Sequence, residues 1–158
     1  MERKSPRSHH LRQLVDSGIP VGAGTDATRV SSYNPWLSLY WMVAGKTVGG
    51  TRLYPKSNCL SREEALRLYT VGSAWFSGED GIKGRIAPGQ FADLTVLSDD
   101  YFSVAEERIK HIESVLTMVD GRVTYAAQEF SELDPELPAV SPAWSPVAHF
   151  GGYATHQD

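Results

Sequence analysis

From Leu11 onward the apolar positions fall at helical spacing. Leu11, Leu14 and Val15 share one face of LRQLVDS, and Gly18 follows where a left-handed residue ends a helix. The next run, Ile19-Pro20-Val21-Gly22-Ala23-Gly24, holds no polar side chain until Thr25-Asp26. Uniform apolarity over so short a length predicts a strand over 19–25 buried on both faces, as in parallel sheets. Within WLSLYWMVAG, Leu37, Tyr40, Trp41 and Ala44 share a face, and Gly45 closes a short helix. Ser61 and Glu64 have the spacing of a capping box, which opens a longer helix running to Gly78. Its packing face comprises Ala65, Leu66, Tyr69, Ser73 and Trp75/Phe76.

After Gly78 the period shortens to that of strands. Ala87-Pro88-Gly89-Gln90 places proline and glycine at the central positions of a type II turn, and 92–97 then reads as a strand. Val115, Thr117 and Val119 alternate with Leu116 and Met118; Asp120-Gly121 comes next, then Arg122-Val123-Thr124-Tyr125. That pattern is a β-hairpin with a primed turn. From Ser131 on, Pro135, Pro138, Pro142 and Pro146 deny regular structure and predict an extended tail. The periodicities define three stretches, 1–78, 79–130 and the Pro-rich 131–158, in an α/β plus β arrangement.

Composition narrows the function classes. A chain of 158 residues, 41% hydrophobic and 22% charged, is an ordinary globular polypeptide. Net charge is −4, and no basic stripe exists to neutralise phosphates, so no nucleic-acid partner is expected. No apolar run is long enough to span a bilayer, and MERKSPRSHH lacks the apolar core of a signal peptide. The single cysteine, Cys59, excludes an internal disulfide and a cysteine zinc cage. These features predict a cytoplasmic protein with no membrane partner.

Asp26 is the first candidate for chemistry. A carboxylate at the carboxyl end of a buried parallel strand stands where α/β barrels and open sheets place their active sites. The competing reading makes it an N-cap for the next element of the chain. Arg29, Tyr33 and Trp36 lie just beyond; they either bind an aryl or carboxylate group of a substrate or pack their loop against the body. His9, His10, His111, His149 and His156 show no metal-binding spacing, and Cys59 has no histidine nearby in sequence to activate it.

Several segments together resemble the amidohydrolase superfamily, in its amidohydrolase-3 branch. Val21-Gly22-Ala23-Gly24-Thr25-Asp26-Ala27 is similar to the end of the family's eighth barrel strand, and Thr70-Val71-Gly72-Ser73-Ala74 with Gly78 to the helix after it. The run from Gly84 to Leu97, containing Ala87-Pro88-Gly89-Gln90 and Ala92-Asp93-Leu94, resembles the entry to the family's small β-domain. The stretch from Val115 to Tyr125 resembles its closing strands. Order and spacing hold from about residue 11 to 125. The resemblance implies the last βα unit of a TIM-type barrel in 1–78, then part of a small β-sandwich domain in 79–130. It implies a metal-dependent hydrolase of non-peptide amides and other carbon–nitrogen bonds. Asp26 then serves as catalytic residue and ligand of a divalent metal, zinc by preference, and the substrate is a small-molecule amide.

The family's histidine pair on the first strand, its strand-four lysine or glutamate, and its histidines on strands five and six have no counterpart. The chain therefore reads as a carboxy-terminal portion, inactive alone and binding no metal tightly. Such a piece is completed by a missing barrel segment or associates as a homo-oligomer. A subunit of a split hydrolase and a non-catalytic, β-rich partner-binding module are the alternatives.

Overall fold

The structure, a computed structural model, describes residues 11–27 and 32–136. The helices Pro35–Ala44 and Arg62–Arg67 begin where an N-cap side chain satisfies an orphan backbone donor. Helix α1, Leu11–Asp16, ends as Ser17 N donates to Gln13 O and Gly18 takes a φ of 74°. Helix α2, Pro35–Ala44, has proline in its first turn and Asn34 as N-cap, with Asn34 Oδ1 accepting from Trp36 N at 2.9 Å. Gly45, at φ 68°, closes it.

The expected capping box is formed: Ser61 Oγ accepts from Glu64 N, and Glu64 Oε2 accepts from Ser61 N. It opens α3, Arg62–Arg67, which continues as a π-helical turn over Leu68–Gly72 and then as α4, Ser73–Phe76.

Three strands come after it: β1 Leu94–Leu97, β2 Ser114–Val119 and β3 Arg122–Ala126. They form one antiparallel sheet in that order, with Thr95 opposite Thr117 and Val119 opposite Arg122. Asp120 and Gly121 both have positive φ, 51° and 74°, as a type I′ hairpin turn demands. Gly89, at φ 85°, and the bond from Gln90 N to Ala87 O form the expected turn before β1.

Three expectations need correction. No ladder forms over 19–25; that segment pairs with no described strand, and Ile19 is exposed. A strand needs neighbours for its backbone groups, and the described residues put a helix beside this one instead. The buried side of α2 is turned by about one residue from the expected face, burying Trp36, Leu39, Tyr40, Val43 and Ala44. Lastly, the start of the expected tail, 131–133, is not extended: it belongs to the 3₁₀ helix Gln128–Leu133 ahead of Pro135. The remainder of the expected tail, from residue 137, lies outside the described residues.

The core explains the rotation of α2. A 3₁₀ helix, Glu106–His111, lies against α2 and inserts Ile109, wholly buried beside Leu39, Tyr40, Tyr101 and Ile112. The two core tyrosines place their polar tips on partners. Tyr40 Oη donates to Glu107 Oε2 at 2.9 Å, and Tyr101 Oη donates to Arg62 O at 3.0 Å. Arg62 in turn donates to the carbonyls of Tyr101 and Val104. Residues on both sides of position 78 therefore share one core.

Two measurements test this packing. Ile109→Ala should cost roughly 2–5 kcal/mol in urea unfolding, the usual range for emptying a fully buried aliphatic site. The second concerns Glu64, which accepts both Arg12 guanidinium nitrogens at 2.8 and 2.6 Å. Those bonds, helped by the Ser61 amide, hold its carboxyl down at about 2. A depressed folded value means the stabilisation is complete above the ordinary 4.5 and is lost as pH falls from there towards about 2. Thermal unfolding from about pH 5 down to 2 should show that loss in the native protein and a flatter acid slope in Glu64→Gln.

Candidate functional site

The segment carrying Asp26 is held by the helix at its one irregular turn. In a regular α-helix each carbonyl accepts from the amide four residues on. Across the π-helical turn Leu68–Gly72 that register slips, and Leu68 O accepts Ala23 N at 3.0 Å. Ser73 Oγ lies 2.9 Å from Ala23 O and 3.0 Å from Leu68 O, so one hydroxyl proton serves two carbonyls. Two glycines make the approach possible. A Cβ on Gly72 would stand 2.3 Å from Val21 O, and one on Gly22 would stand 2.8 Å from Phe76 Cδ2.

Asp26 stands three residues beyond this anchor. Its φ is 51°, in the left-handed region that few non-glycine residues adopt, and it is solvent-exposed. Thr25 Oγ1 accepts from Ala27 N at 3.2 Å, a local turn that supports the bend. The Asp26 carboxylate makes no hydrogen bond or ion pair to another described residue. The described helix that comes next, α2, is capped by Asn34 and not by Asp26.

Of the other candidates, Arg29 lies outside the described residues. Tyr33 is half exposed, just before the start of α2. Trp36 is 7% exposed and packs on Tyr101, ring centroids 6.0 Å apart. It also lines a hollow of about 750 Å³ between the helix and β1, with Leu66, Tyr69, Ser73, Leu94 and Phe102 among its walls. Neither Asp26 nor Tyr33 lines that hollow.

Cys59 is buried against Gly45, and burial pushes its thiol up from the ordinary range, the opposite of what a nucleophilic thiolate needs. His111 is exposed; the other four histidines lie outside the described residues. Among the described residues no three His, Cys, Asp or Glu side chains come together as a metal cage. A catalytic zinc takes about three protein ligands. The described donors do not make up such a centre, and Asp26 can supply one ligand of it.

Sequence reading did not single out the anchor itself. Its signal was the pair Gly72-Ser73 inside a helical pattern, because glycine costs about 1 kcal/mol in a helix interior and Gly/Ser pairs mark irregular turns.

Comparison with known proteins places these features in context. Residues 2–125 match the model of the amidohydrolase family. The chain is 33% identical over 116 residues to YtcJ of Bacillus subtilis, a protein named as an amidohydrolase, and that alignment covers 72% of this chain. It is 31% identical over 115 residues to the N-substituted formamide deformylase of Arthrobacter pascens, over 73% of this chain. The chain spans about a fifth of the length of these relatives (22% and 21%). Among solved structures, the guanine deaminase of E. coli superposes with a TM-score of 0.55 at 25% identity, covering 75% of this chain and 30% of that one. No described helix is long and apolar enough to cross a membrane.

The burial of Trp36 yields a test of its role. Trp36→Ala should lower stability by roughly 3–5 kcal/mol in urea unfolding, as removal of a buried aromatic does. A stability change below about 1 kcal/mol would assign Trp36 to ligand contact alone.

Proposed function

This chain belongs to the amidohydrolase family, and on that basis we propose that it is part of a metal-dependent hydrolase of carbon–nitrogen bonds, with Asp26 as catalytic carboxylate. The named chemistry of two similar proteins, a formamide deformylase and a guanine deaminase, supports this reaction class and a small-molecule substrate. The observation that carries the residue assignment is the state of Asp26. It is exposed, held in a left-handed conformation beyond a two-glycine anchor, and not the cap of α2. Backbone in such sparsely populated regions recurs at functional sites, where surrounding structure enforces it.

In the proposed reaction the Asp26 carboxylate accepts a proton from the attacking water. It returns that proton to the leaving nitrogen as the carbon–nitrogen bond breaks. The family's divalent metal, zinc in this proposal, would take Asp26 as one ligand. The described residues do not complete that centre. The chain thus contributes one carboxylate and its support, as a carboxy-terminal part of a barrel with part of a small β-domain. The remaining ligands come from polypeptide beyond the described residues. Tyr33, half exposed just before α2, contacts substrate in this proposal. Trp36 supports that approach from within the core.

The test is Asp26→Asn in an active preparation of the hydrolase containing this chain, with metal content measured alongside. Asparagine keeps the shape and the capping ability but cannot take the proton. A general-base role predicts a fall in kcat of about 10²–10⁴-fold with a smaller change in KM. Near-native kcat at full metal occupancy would refute the assignment.

A further inference from the structure

We infer that Ser73, with Gly72 beside it, is a positioning residue for Asp26: the hydroxyl and the π-helical turn lock the 21–26 segment onto the helix. The inference rests on the reading of Asp26 as the site carboxylate, but its geometry stands independently of any activity.

Chain without strand neighbours must place its amides and carbonyls elsewhere. Ala23 does so entirely through the helix: its amide donates to Leu68 O, and its carbonyl accepts from Ser73 Oγ. A carbonyl oxygen has two lone pairs, so Leu68 O can take Ala23 N beside its helical bonding, which the π-helical turn shifts from the i+4 to the i+5 register. Ser73 Oγ, 3.0 Å from the same oxygen, ties that carbonyl and the docked segment together.

Gly72 completes the device, because any side chain there would strike Val21 O. Only Gly24 and Thr25 lie between Ala23 and Asp26, and the bond from Ala27 N to Thr25 Oγ1 closes a local turn around Asp26. The carboxylate is therefore aimed by a short lever fixed at its base. Loss of the hydroxyl leaves the lever attached through one backbone bond instead of two.

Amide hydrogen exchange and NMR on this chain test the idea with readouts that need no activity. Ser73→Ala should speed exchange of the Ala23 amide at least about twofold, the least that loss of one net hydrogen bond implies. It should also weaken the strong intraresidue amide-to-α-proton NOE that marks the positive φ of Asp26, while the β2–β3 amides stay protected. Ser73→Thr, which keeps the hydroxyl, should restore both. Gly72→Ala retains the hydroxyl and favours the helix, yet should displace the segment to the same extent. If Ser73→Ala unfolds the sheet as well, Gly72→Ala decides alone. An Ala23 rate within about twofold of native in the folded variant, or a Ser73→Thr protein that behaves like Ser73→Ala, overturns the inference. Catalytic failure of Asp26 with these NMR results intact would count against the proposed reaction and leave the positioning role standing.

Discussion

The placement of the site depends on one close approach of backbone to backbone, where the segment at Val21–Gly22 meets the helix at Gly72. A Cβ on Gly72 would come within 2.3 Å of a carbonyl oxygen, so glycine is required there by space. The same helix interior would ordinarily suffer from glycine by about 1 kcal/mol. Here the local cost coincides with a π-helical register slip, and the Leu68 carbonyl at its start accepts the incoming Ala23 amide. A weakness in secondary structure is thus converted into a tertiary docking point, and Asp26 inherits its position from it.

That docking point needs a rigid base, which the aromatic core supplies. Tyr40 and Tyr101 are buried in full, and each satisfies its hydroxyl on the core's own rim, at Glu107 and at the Arg62 carbonyl. Buried phenols without partners would cost free energy; here they link α2, α3 and the 3₁₀ helix Glu106–His111. Glu107 also receives Lys46 at 2.6 Å and Lys110 at 3.2 Å, and Lys110 lies over the Tyr40 ring. Lys46 most of all, then the Tyr40 hydroxyl and Lys110, lower the Glu107 carboxyl to about 2. The exposed ion pairs are individually worth little, so the aliphatic and aromatic burial beneath them carries the stability.

Membership of the amidohydrolase family and the geometry of Asp26 point the same way. Precision at a catalytic group comes from elements that do not move, and a short lever on a helix is stiffer than a long loop. One exposed carboxylate faces outward, while the supporting groups, Ser73 and the Leu68 carbonyl, sit behind it in partly buried positions.

What could be read from the sequence was whatever is settled within about four residues. The Ser61–Glu64 box, the stops at Gly18, Gly45 and Gly78, the turn at Pro88-Gly89 and the Asp120-Gly121 hairpin all have partners close along the chain. Asp26 stood out in the sequence as a carboxylate after a run of small apolar residues, and its catalytic role is the proposal made above. The structure alone decided the rest, because the deciding partners are remote. Ala23 meets Leu68 across 45 positions, and Trp36 meets Tyr101 across 65. The first contact made 19–25 a docked segment and not a strand; the second turned α2 and took Trp36 into the core. A one-dimensional pattern records that a residue is apolar or small, but not which distant surface will cover it. The backbone of Asp26 and its separation from the α2 cap were settled by those distant surfaces.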